Sequence, residues 1–223
     1  LMEAGVREVL FITRKSDLKN FKDLFGNGSN MGMKFTFAIQ KKQIGIPDAM
    51  NIGQNFIGKD SFILALADNL FIGETFKQVL RQVQKSNSEA TLLAVKVPNP
   101  SKSGVIEYDK DKKIISIEEK PKIPKSNFII PGFYCYNHHA IDYAKKLKPS
   151  KRGELEIVDI HLKYLKSKSL NVVPVRKNIK WFDTGDAFEM LDASSYVAKY
   201  QKEKKILVGS IELVALHNGW ISI

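Results

Sequence analysis

The sequence contains little cysteine and little histidine. Among its 223 residues there are one cysteine, Cys135, and four histidines. A single cysteine cannot form an intramolecular disulfide, and no set of Cys and His residues has the spacing of a zinc site. Because disulfides are typical of oxidising compartments, their absence favours a reduced, cytoplasmic location. Cys135 lies in an apolar segment, which favours a packing role for its thiol.

Long hydrophobic runs are also missing. No segment approaches the roughly 18–20 consecutive apolar residues that a membrane-spanning helix needs, and the first residues lack the pattern of a signal peptide. Apolar residues make up 43% of the sequence and charged residues 26%, proportions that are typical of folded globular proteins. We therefore expect a globular protein with no membrane partner.

Arginine is scarce although the chain is basic. Only five of the 35 Lys and Arg residues are arginines, and the 24 Asp and Glu residues leave a net charge of +11. Proteins that read base edges and phosphates in nucleic acids favour the arginine fork. The lysines are scattered along the sequence, which is typical of a solvated surface. We therefore expect no nucleic-acid partner, although the charge would concentrate small polyanionic substrates near the protein.

Short apolar segments alternate with amphipathic segments in the first hundred residues. The pattern predicts helices at 17–24, 46–57 and 75–86, and strands at 6–13, 33–40, 61–67 and 90–97. This alternation is typical of an α/β fold with a mostly parallel, twisted sheet flanked by helices.

The pattern changes after Pro98. Strands predicted at 105–108, 114–118 and 128–136 follow one another without helices between them, which indicates a small β-rich insertion. Helices return at 139–147, 154–167 and 187–203, and a short strand is predicted at 171–175. Because the sequence shows no internal repeat and no long linker, we predict a single domain over residues 1–223.

Two aspartates lie where ligands bind in open α/β sheets, which is beyond the carboxyl ends of the strands. Asp68 follows the apolar strand 61–67, and Asp183 lies in Trp181-Phe182-Asp183-Thr184-Gly185 before the last long helix. Either carboxylate could cap a turn, and either could be an oxygen ligand of Mg²⁺. The sequence alone does not place the two side chains together.

Three further groups of polar residues lie at element ends. Lys120 precedes Pro121, which predicts an extended backbone and a charge that projects from a strand end toward a phosphate. Arg152 begins an acidic segment that leads into a helix. Gln40, which Gly45 follows, could present both a donor and an acceptor to a base edge. Each of these signals taken alone also fits a structural role.

In this order, the polar groups resemble the sugar-nucleotide pyrophosphorylases. The matching stretches are Gln40 with Gly45, Ala67-Asp68-Asn69, Gly104-Val105, Glu118-Glu119-Lys120-Pro121, Gly132-Phe133-Tyr134, Arg152-Gly153-Glu154-Leu155-Glu156-Ile157-Val158-Asp159 and Trp181-Phe182-Asp183-Thr184-Gly185. The resemblance covers essentially the whole chain. The sixth and the seventh stretches are specific to the branch of the family that uses dTTP and glucose 1-phosphate.

The resemblance implies a Rossmann-like nucleotidyltransferase fold and a Mg²⁺-dependent reaction. The phosphate of glucose 1-phosphate attacks the α-phosphorus of dTTP, which forms dTDP-glucose and pyrophosphate. By matched motif, the resemblance implies that Asp68 and Asp183 hold Mg²⁺ and that Lys120 joins them in catalysis. It implies that the nucleotide contacts Gln40, Gly45 and Asp68. The residues that it implies for the sugar phosphate are Gly104, Glu119, Lys120, Gly132 and Arg152. The resemblance also implies a homo-oligomer, commonly a tetramer, and a role in deoxysugar synthesis of the dTDP-rhamnose type.

Two features depart from the family pattern. The family carries an N-terminal glycine-rich loop, G-G-x-G-T-R-L-x-P, that nothing in this sequence matches. We therefore expect a chain that is truncated before Leu1, inactive by itself and prone to self-association. Ser103 precedes Gly104 where an aromatic residue is common in the nearest relatives. A non-catalytic fragment is thus one alternative function.

A transferase for another nucleotide is the other alternative. Thymine and uracil share the edge that Gln40 would read, and they differ by one methyl group. A uridylyl- or cytidylyltransferase of the same family therefore stays open at the level of the sequence.

Overall fold

The computed structural model describes residues 1–222, which form eleven strands and seven α-helices. The strands are β1 (Glu8–Thr13), β2 (Lys34–Ile39), β3 (Phe62–Ala65), β4 (Asn69–Ile72), β5 (Ala90–Lys96), β6 (Gly104–Tyr108), β7 (Ile114–Glu119), β8 (Phe128–Ile130), β9 (Phe133–Tyr136), β10 (Leu170–Pro174) and β11 (Lys180–Asp183). The helices are α1 (Leu18–Phe25), α2 (Asp48–Ile57), α3 (Phe76–Gln84), α4 (His139–Lys145), α5 (Ile157–Lys166), α6 (Ala187–Lys204) and α7 (Ile211–His217).

The main sheet is mixed, whereas the sequence predicted a mostly parallel one. Its strand order is β3-β9-β5-β8-β6-β7, with β10 parallel to β5 on the other edge of β5. Strand β9 returns antiparallel between β3 and β5, and β6, β7 and β8 form the predicted β-rich insertion with antiparallel pairing. The sheet is mixed because β8 and β9 arrive through turns, without the helical crossover that a parallel neighbour needs.

The strand predicted at 128–136 is interrupted. Pro131 and Gly132 separate β8 from β9, because proline has no N–H for a strand ladder. The Gly132 carbonyl accepts a hydrogen bond of 2.8 Å from the Leu66 N–H, which attaches the turn to the end of β3. The interruption allows β8 to pair with β5 and β6 while β9 pairs with β3 and β5.

Two short strands and one helix were not predicted. Strands β4 and β11 pair with each other in antiparallel register, with Asp183 opposite Asn69. Each has four residues, and its regular structure depends on a partner that is distant in the sequence. Helix α7 follows α6 near the C-terminus, with the Ser210 hydroxyl accepting from the Leu213 N–H.

The largest core cluster packs α4 and α5 against the sheet. In α5, the side chains of Ile157, Ile160, His161 and Tyr164 are buried, and their spacing places them on one helix face. They pack with Tyr136 of β9 and other residues of the sheet. Burial of each large side chain contributes about 1.5–3 kcal/mol to folding, so this face fixes α5 on the sheet. No helix within residues 1–222 has the length and apolarity that crossing a membrane requires.

A cavity of about 1090 Å³ lies between β1 and β3. Strand β1 pairs in parallel with β2, and within residues 1–222 this pair is not hydrogen-bonded to the main sheet. Side chains of β1, β3 and α2 line the cavity, and Gln40, Gly45, Asn69 and Glu154 lie on its wall. Gln40 and Gly45, two of the three residues that the sequence assigned to the nucleotide, therefore border a large opening in the fold.

Candidate functional site

Asp68 and Asp183 are brought together by the pairing of β4 with β11. Thr184 donates from its N–H and its hydroxyl to the Asp68 carbonyl, at 2.7 and 2.9 Å. A Cβ placed on Gly185 would lie 3.2 Å from Asp183 Oδ1 and 3.4 Å from Asp68 Oδ2. Both carboxylate oxygens thus lie within 3.4 Å of one point at the end of the strands.

The chemistry of this carboxylate pair fits Mg²⁺. Mg²⁺ binds oxygen ligands, and it usually takes one or two carboxylates together with water and substrate phosphates. Within residues 1–222, no group of three or more His, Cys, Asp or Glu residues could hold a metal ion. The pair therefore fits an ion that arrives with a phosphate ligand and does not fit a closed zinc site.

Asn69 connects this pair to two other segments. Its amide nitrogen donates to Asp68 Oδ1 at 2.8 Å. Its amide oxygen accepts from the Gly132 N–H at 2.8 Å and from the Trp181 indole N–H at 2.7 Å. The Asn69 amide is thereby fixed in orientation, because both of its ends have partners of the matching type. Asn69 lies in the matching stretch Ala67-Asp68-Asn69, but the sequence assigned it no role.

Gly132 packs closely against this network. A Cβ at Gly132 would lie 2.7 Å from Asn69 Nδ2 and 2.7 Å from the side chain of Leu66. No larger residue fits at position 132 without a shift of its neighbours. The sequence assigned Gly132 to the sugar phosphate, and the structure places it against Asn69, whose amide contacts Asp68.

Glu119, Lys120 and Arg152 form a second charged group. Lys120 Nζ lies 4.0 Å from Glu119 Oε1, and Arg152 Nη2 lies 3.9 Å from the same oxygen. Arg152 Nη2 also contacts Glu156 Oε2 at 2.8 Å. Gly104 pairs with Glu119 across β6 and β7, and a Cβ there would lie 3.4 Å from Glu119 Oε2. The structure thus brings together four of the residues that the sequence assigned to the sugar phosphate.

The extended backbone predicted for Lys120 is wrong. Its φ is +45°, in the left-handed region, and its N–H donates to the Ser103 carbonyl at 3.1 Å. Pro121 disfavours the right-handed helical region for the residue before it, and the hydrogen bond to Ser103 selects the left-handed alternative. A non-glycine residue in such a region stores about 1–3 kcal/mol of strain. Such strain is frequent at functional sites, and it aims Lys120 toward Glu119.

The acids of this charged group differ in environment. Burial raises the pKa of Glu119, and the positive charges of Lys120 and Arg152 oppose that rise only in part. Burial also acts on Glu156, but hydrogen bonds from Arg152 and Ser150 lower the pKa of Glu156 overall. Glu119 is thus a half-buried acceptor with little direct hydrogen bonding, which suits a sugar hydroxyl.

Tyr134 of β9 is buried. Burial, followed by the negative charges of Glu119 and Asp68, raises the pKa of Tyr134. One carboxylate from each charged group therefore lies close enough to act on this phenol.

Gln40 and Gly45 lie together at the cavity wall. Gly45 has a φ of +119°, and a Cβ there would lie 2.2 Å from the Leu155 carbonyl oxygen, so only glycine fits. Gln40 Nε2 donates to Asp48 Oδ2 at 3.0 Å and to the Gly45 carbonyl at 3.4 Å. The sequence expected Gln40 to offer a ligand both a donor and an acceptor. In the structure the donor, the Gln40 amide nitrogen, already binds Asp48 and Gly45 within the protein.

The chain is similar to known proteins over nearly its whole length. The family described as "Nucleotidyl transferase" matches residues 1–200. The glucose-1-phosphate thymidylyltransferase of Neisseria meningitidis serogroup A is 40% identical over 222 residues, which are 100% of this chain and 77% of the relative. The enzyme of the same name from Mycolicibacterium smegmatis is 39% identical over 221 residues, which are 99% of this chain and 76% of the relative.

Solved structures agree with these sequence matches. A Bacillus anthracis protein assigned as a glucose-1-phosphate thymidylyltransferase, in complex with sucrose, is similar with a TM-score of 0.76 and 34% identity, over 84% of this chain and 74% of that one. A UDP-glucose pyrophosphorylase complexed with UDP-glucose is similar with a TM-score of 0.76 and 26% identity, over 90% of this chain and 83% of that one. The predicted α/β nucleotidyltransferase fold is confirmed.

Proposed function

The chain belongs to the nucleotidyl transferase family, and from this premise we propose that it is a glucose-1-phosphate thymidylyltransferase. Glucose 1-phosphate attacks the α-phosphorus of dTTP, and the products are dTDP-glucose and pyrophosphate. The observation that carries the proposal is the approach of Asp68 and Asp183 oxygens to one point beside Gly185, in a chain whose relatives bear this name.

Asp68 and Asp183 are proposed to hold Mg²⁺ together with the phosphates of dTTP. A bound Mg²⁺ would neutralise charge that develops on the phosphates during transfer. The protein itself orients the ligands, since Asn69 fixes the Asp68 carboxylate and Thr184 fixes the Asp68 backbone. Transfer of a phosphoryl-type group needs mainly such alignment and charge neutralisation.

The second charged group is proposed to bind glucose 1-phosphate. The Lys120 side chain is 47% exposed, so its ammonium group is available to the sugar phosphate. Glu119 is placed to accept a hydrogen bond from a sugar hydroxyl, and Gly104 leaves room near it. Gly132, which packs against Asn69, is proposed to contact the sugar phosphate from the side of the carboxylate pair. Arg152 donates a hydrogen bond to Glu156. We assign it two roles, which are to position Glu119 and Glu156 and to add positive charge near the sugar phosphate.

The cavity wall is proposed to bind the nucleotide. Gln40 faces the base, Gly45 allows the chain to pass close to Leu155, and Asp68 lies near the triphosphate. The proposal extends to a cytoplasmic homo-oligomer that supplies dTDP-glucose to deoxysugar synthesis of the dTDP-rhamnose type. The single cysteine supports the compartment, and the family resemblance supports the assembly and the pathway.

A uridylyltransferase is the second candidate, because a UDP-glucose pyrophosphorylase has the same fold over 90% of this chain. A binding site can distinguish two bases that differ by one methyl group by about 10- to 200-fold in kcat/KM. We therefore expect the protein to prefer dTTP and to accept UTP at a lower rate.

The direct test is a measurement of pyrophosphate release by the full-length protein, with the glycine-rich loop of the family present. Glucose 1-phosphate is combined with each of dTTP, UTP and dCTP, with and without Mg²⁺. We expect release with dTTP that depends on Mg²⁺ and on the sugar phosphate. A higher kcat/KM for UTP than for dTTP would replace the proposal by the second candidate. Absence of release with every nucleotide would refute both.

A further inference from the structure

The side-chain amide of Gln40 is fixed by a partner that the sequence motifs do not include. Gln40 directly follows β2, and Asp48 is the first residue of α2. Gln40 Nε2 lies 3.0 Å from Asp48 Oδ2 and 3.4 Å from the Gly45 carbonyl oxygen. Both N–H groups of the amide therefore have acceptors within the protein.

The Asp48 carboxylate determines which way the Gln40 amide faces. An ionised carboxylate only accepts hydrogen bonds, so the amide nitrogen must be the atom that contacts it. A rotated amide would place the Gln40 oxygen against the carboxylate and the Gly45 carbonyl, with the loss of both hydrogen bonds. The hydrogen-bonding groups around Gln40 therefore determine which end of its amide is the nitrogen and which is the oxygen.

One polar atom of Gln40 is left for a ligand. Among the hydrogen bonds of residues 1–222, none has Gln40 Oε1 as its acceptor, and Gln40 lies on the wall of the large cavity. Gln40 is half-buried, which strengthens a hydrogen bond to it relative to one in water. The cavity wall therefore offers a fixed acceptor at this position.

We propose that Asp48 is a positioning residue that sets the base selectivity of the site among pyrimidines, an inference that rests on the proposed function. Thymine and uracil carry an N3–H, which can donate to Gln40 Oε1. The N3 of cytosine is an acceptor, and it would face Gln40 Oε1 with no hydrogen between them. Asp48 thereby makes the site accept thymine and uracil and reject cytosine.

A purely structural role for Asp48 makes a different prediction. An acid in the first turn of a helix interacts favourably with the helix dipole, and Asp48 occupies that position in α2. In that case its replacement would lower stability and affect all nucleotides equally. The ratio between thymine and cytosine nucleotides separates the two roles, because only positioning of Gln40 changes that ratio.

The test compares wild type, Asp48→Asn and Asp48→Ala. Turnover with dTTP and dCTP gives one ratio, and the affinities of dTDP and dCDP measured by calorimetry give a second that needs no turnover. We expect wild type to favour the thymine nucleotide by at least about 100-fold. Asp48→Ala should lower this preference at least about tenfold, and Asp48→Asn should lower it less, because its amide can either accept from Gln40 or turn and donate. The KM for glucose 1-phosphate should not change.

Asp60→Ala is the matched control, because Asp60 is an exposed aspartate just after α2. It should retain the wild-type ratio. Asp48→Glu, which keeps the carboxylate, should restore part of the selectivity that Asp48→Ala loses.

An unchanged thymine-to-cytosine ratio in folded Asp48→Asn and Asp48→Ala would overturn the inference, and so would a wild-type protein that binds dCDP as well as dTDP. Absence of turnover with dTTP, together with a binding ratio that still depends on Asp48, would refute the proposed function and support the inference. Asn is close in size to Asp, so Asp48→Asn keeps the test valid if Asp48→Ala does not fold.

Discussion

Among single residues, Asp183 is the one whose replacement tests the proposed metal site most directly. Its Oδ1 approaches the same point as Asp68 Oδ2 beside Gly185. Asp183→Asn removes one charge without a change in size, so we expect kcat to fall by at least about 100-fold while the unfolding temperature stays the same. Steady-state kinetics and thermal unfolding measure the two quantities. Asp192→Asn, on the exposed face of α6, is the control, and equal losses in both variants would remove Asp183 from the site.

Lys120 combines a functional charge with a strained backbone. We expect Lys120→Ala to raise the KM for glucose 1-phosphate far more than the KM for dTTP, because the ammonium group is proposed to meet the sugar phosphate. Lys120→Gly should lose the same function and be more stable than Lys120→Ala by about 1 kcal/mol, since glycine tolerates the positive φ. Kinetics and urea unfolding test both statements. Lys122→Ala is the exposed control, and wild-type kinetics in Lys120→Ala would make Lys120 a surface charge only.

The sequence was sufficient for some site residues and insufficient for others. Asp68, Lys120 and Asp183 were recognised because each lies in a characteristic local motif. Asn69 and Asp48 were not, since their roles arise from neighbours that are brought close only by folding. Asn69 meets Trp181 across 112 residues of sequence, and the hydrogen bond from Gln40 to Asp48 depends on how β2 leads into α2.

At the scale of elements, α5 packs a neutral histidine against β9. Burial lowers the pKa of His161 to about 3, and His161 Nε2 lies 2.6 Å from the Tyr136 hydroxyl. A histidine in the unfolded chain titrates near pH 6.5, so the unfolded state binds more protons below that value. Stability should therefore fall as the pH decreases from about 6.5 toward 3.

His161→Gln is the variant that tests this pH dependence. Glutamine can still accept from the Tyr136 hydroxyl, but it does not titrate. Urea unfolding at a series of pH values between about 7 and 4 should show a smaller loss of stability in His161→Gln than in wild type. Equal slopes in the two proteins would show that another group causes the acid sensitivity.

The observed strands differ from the predicted ones where their bounds depend on long-range pairing or on a turn. Strands β4 and β11 contain only four residues each, so no local periodicity could indicate them. The strand predicted at 128–136 was apolar throughout, and apolarity alone did not show that Pro131 and Gly132 redirect the chain from one neighbour to another. Helices α3, α5 and α6 were found close to their observed bounds, because a run of helix-forming residues is a local signal.

At the scale of the whole molecule, the cavity between β1 and β3 is the prominent feature. Apolar side chains of both strands line it, and the facing strand edges have no strand partner in residues 1–222. Exposed edges and apolar surface promote association between chains. We therefore expect the protein to bind an apolar dye and to associate as its concentration rises.

Sedimentation velocity over a range of concentrations measures this association, and dye fluorescence monitors the cavity in parallel. Fluorescence per chain should decrease as association increases if the same surface is covered. A protein that stays monomeric and does not bind the dye would contradict the expectation.

The overall fold was predictable at the level of its class. The alternation of strands and helices identified an α/β protein, and the order of motifs identified the nucleotidyl transferase family. The mixed character of the sheet was not predictable, because it depends on β9 inserting antiparallel between β3 and β5. That residues 1–223 form a single domain stays a prediction.

A crystal structure of the protein with dTDP-glucose and Mn²⁺ tests the proposed site most directly, because Mn²⁺ takes oxygen ligands like Mg²⁺ and gives a strong anomalous signal. We expect an anomalous peak between Asp68 and Asp183, next to a phosphate of the ligand, with the glucose near Glu119 and Lys120. An ion bound elsewhere, with neither aspartate among its ligands, would contradict the assignment of the site.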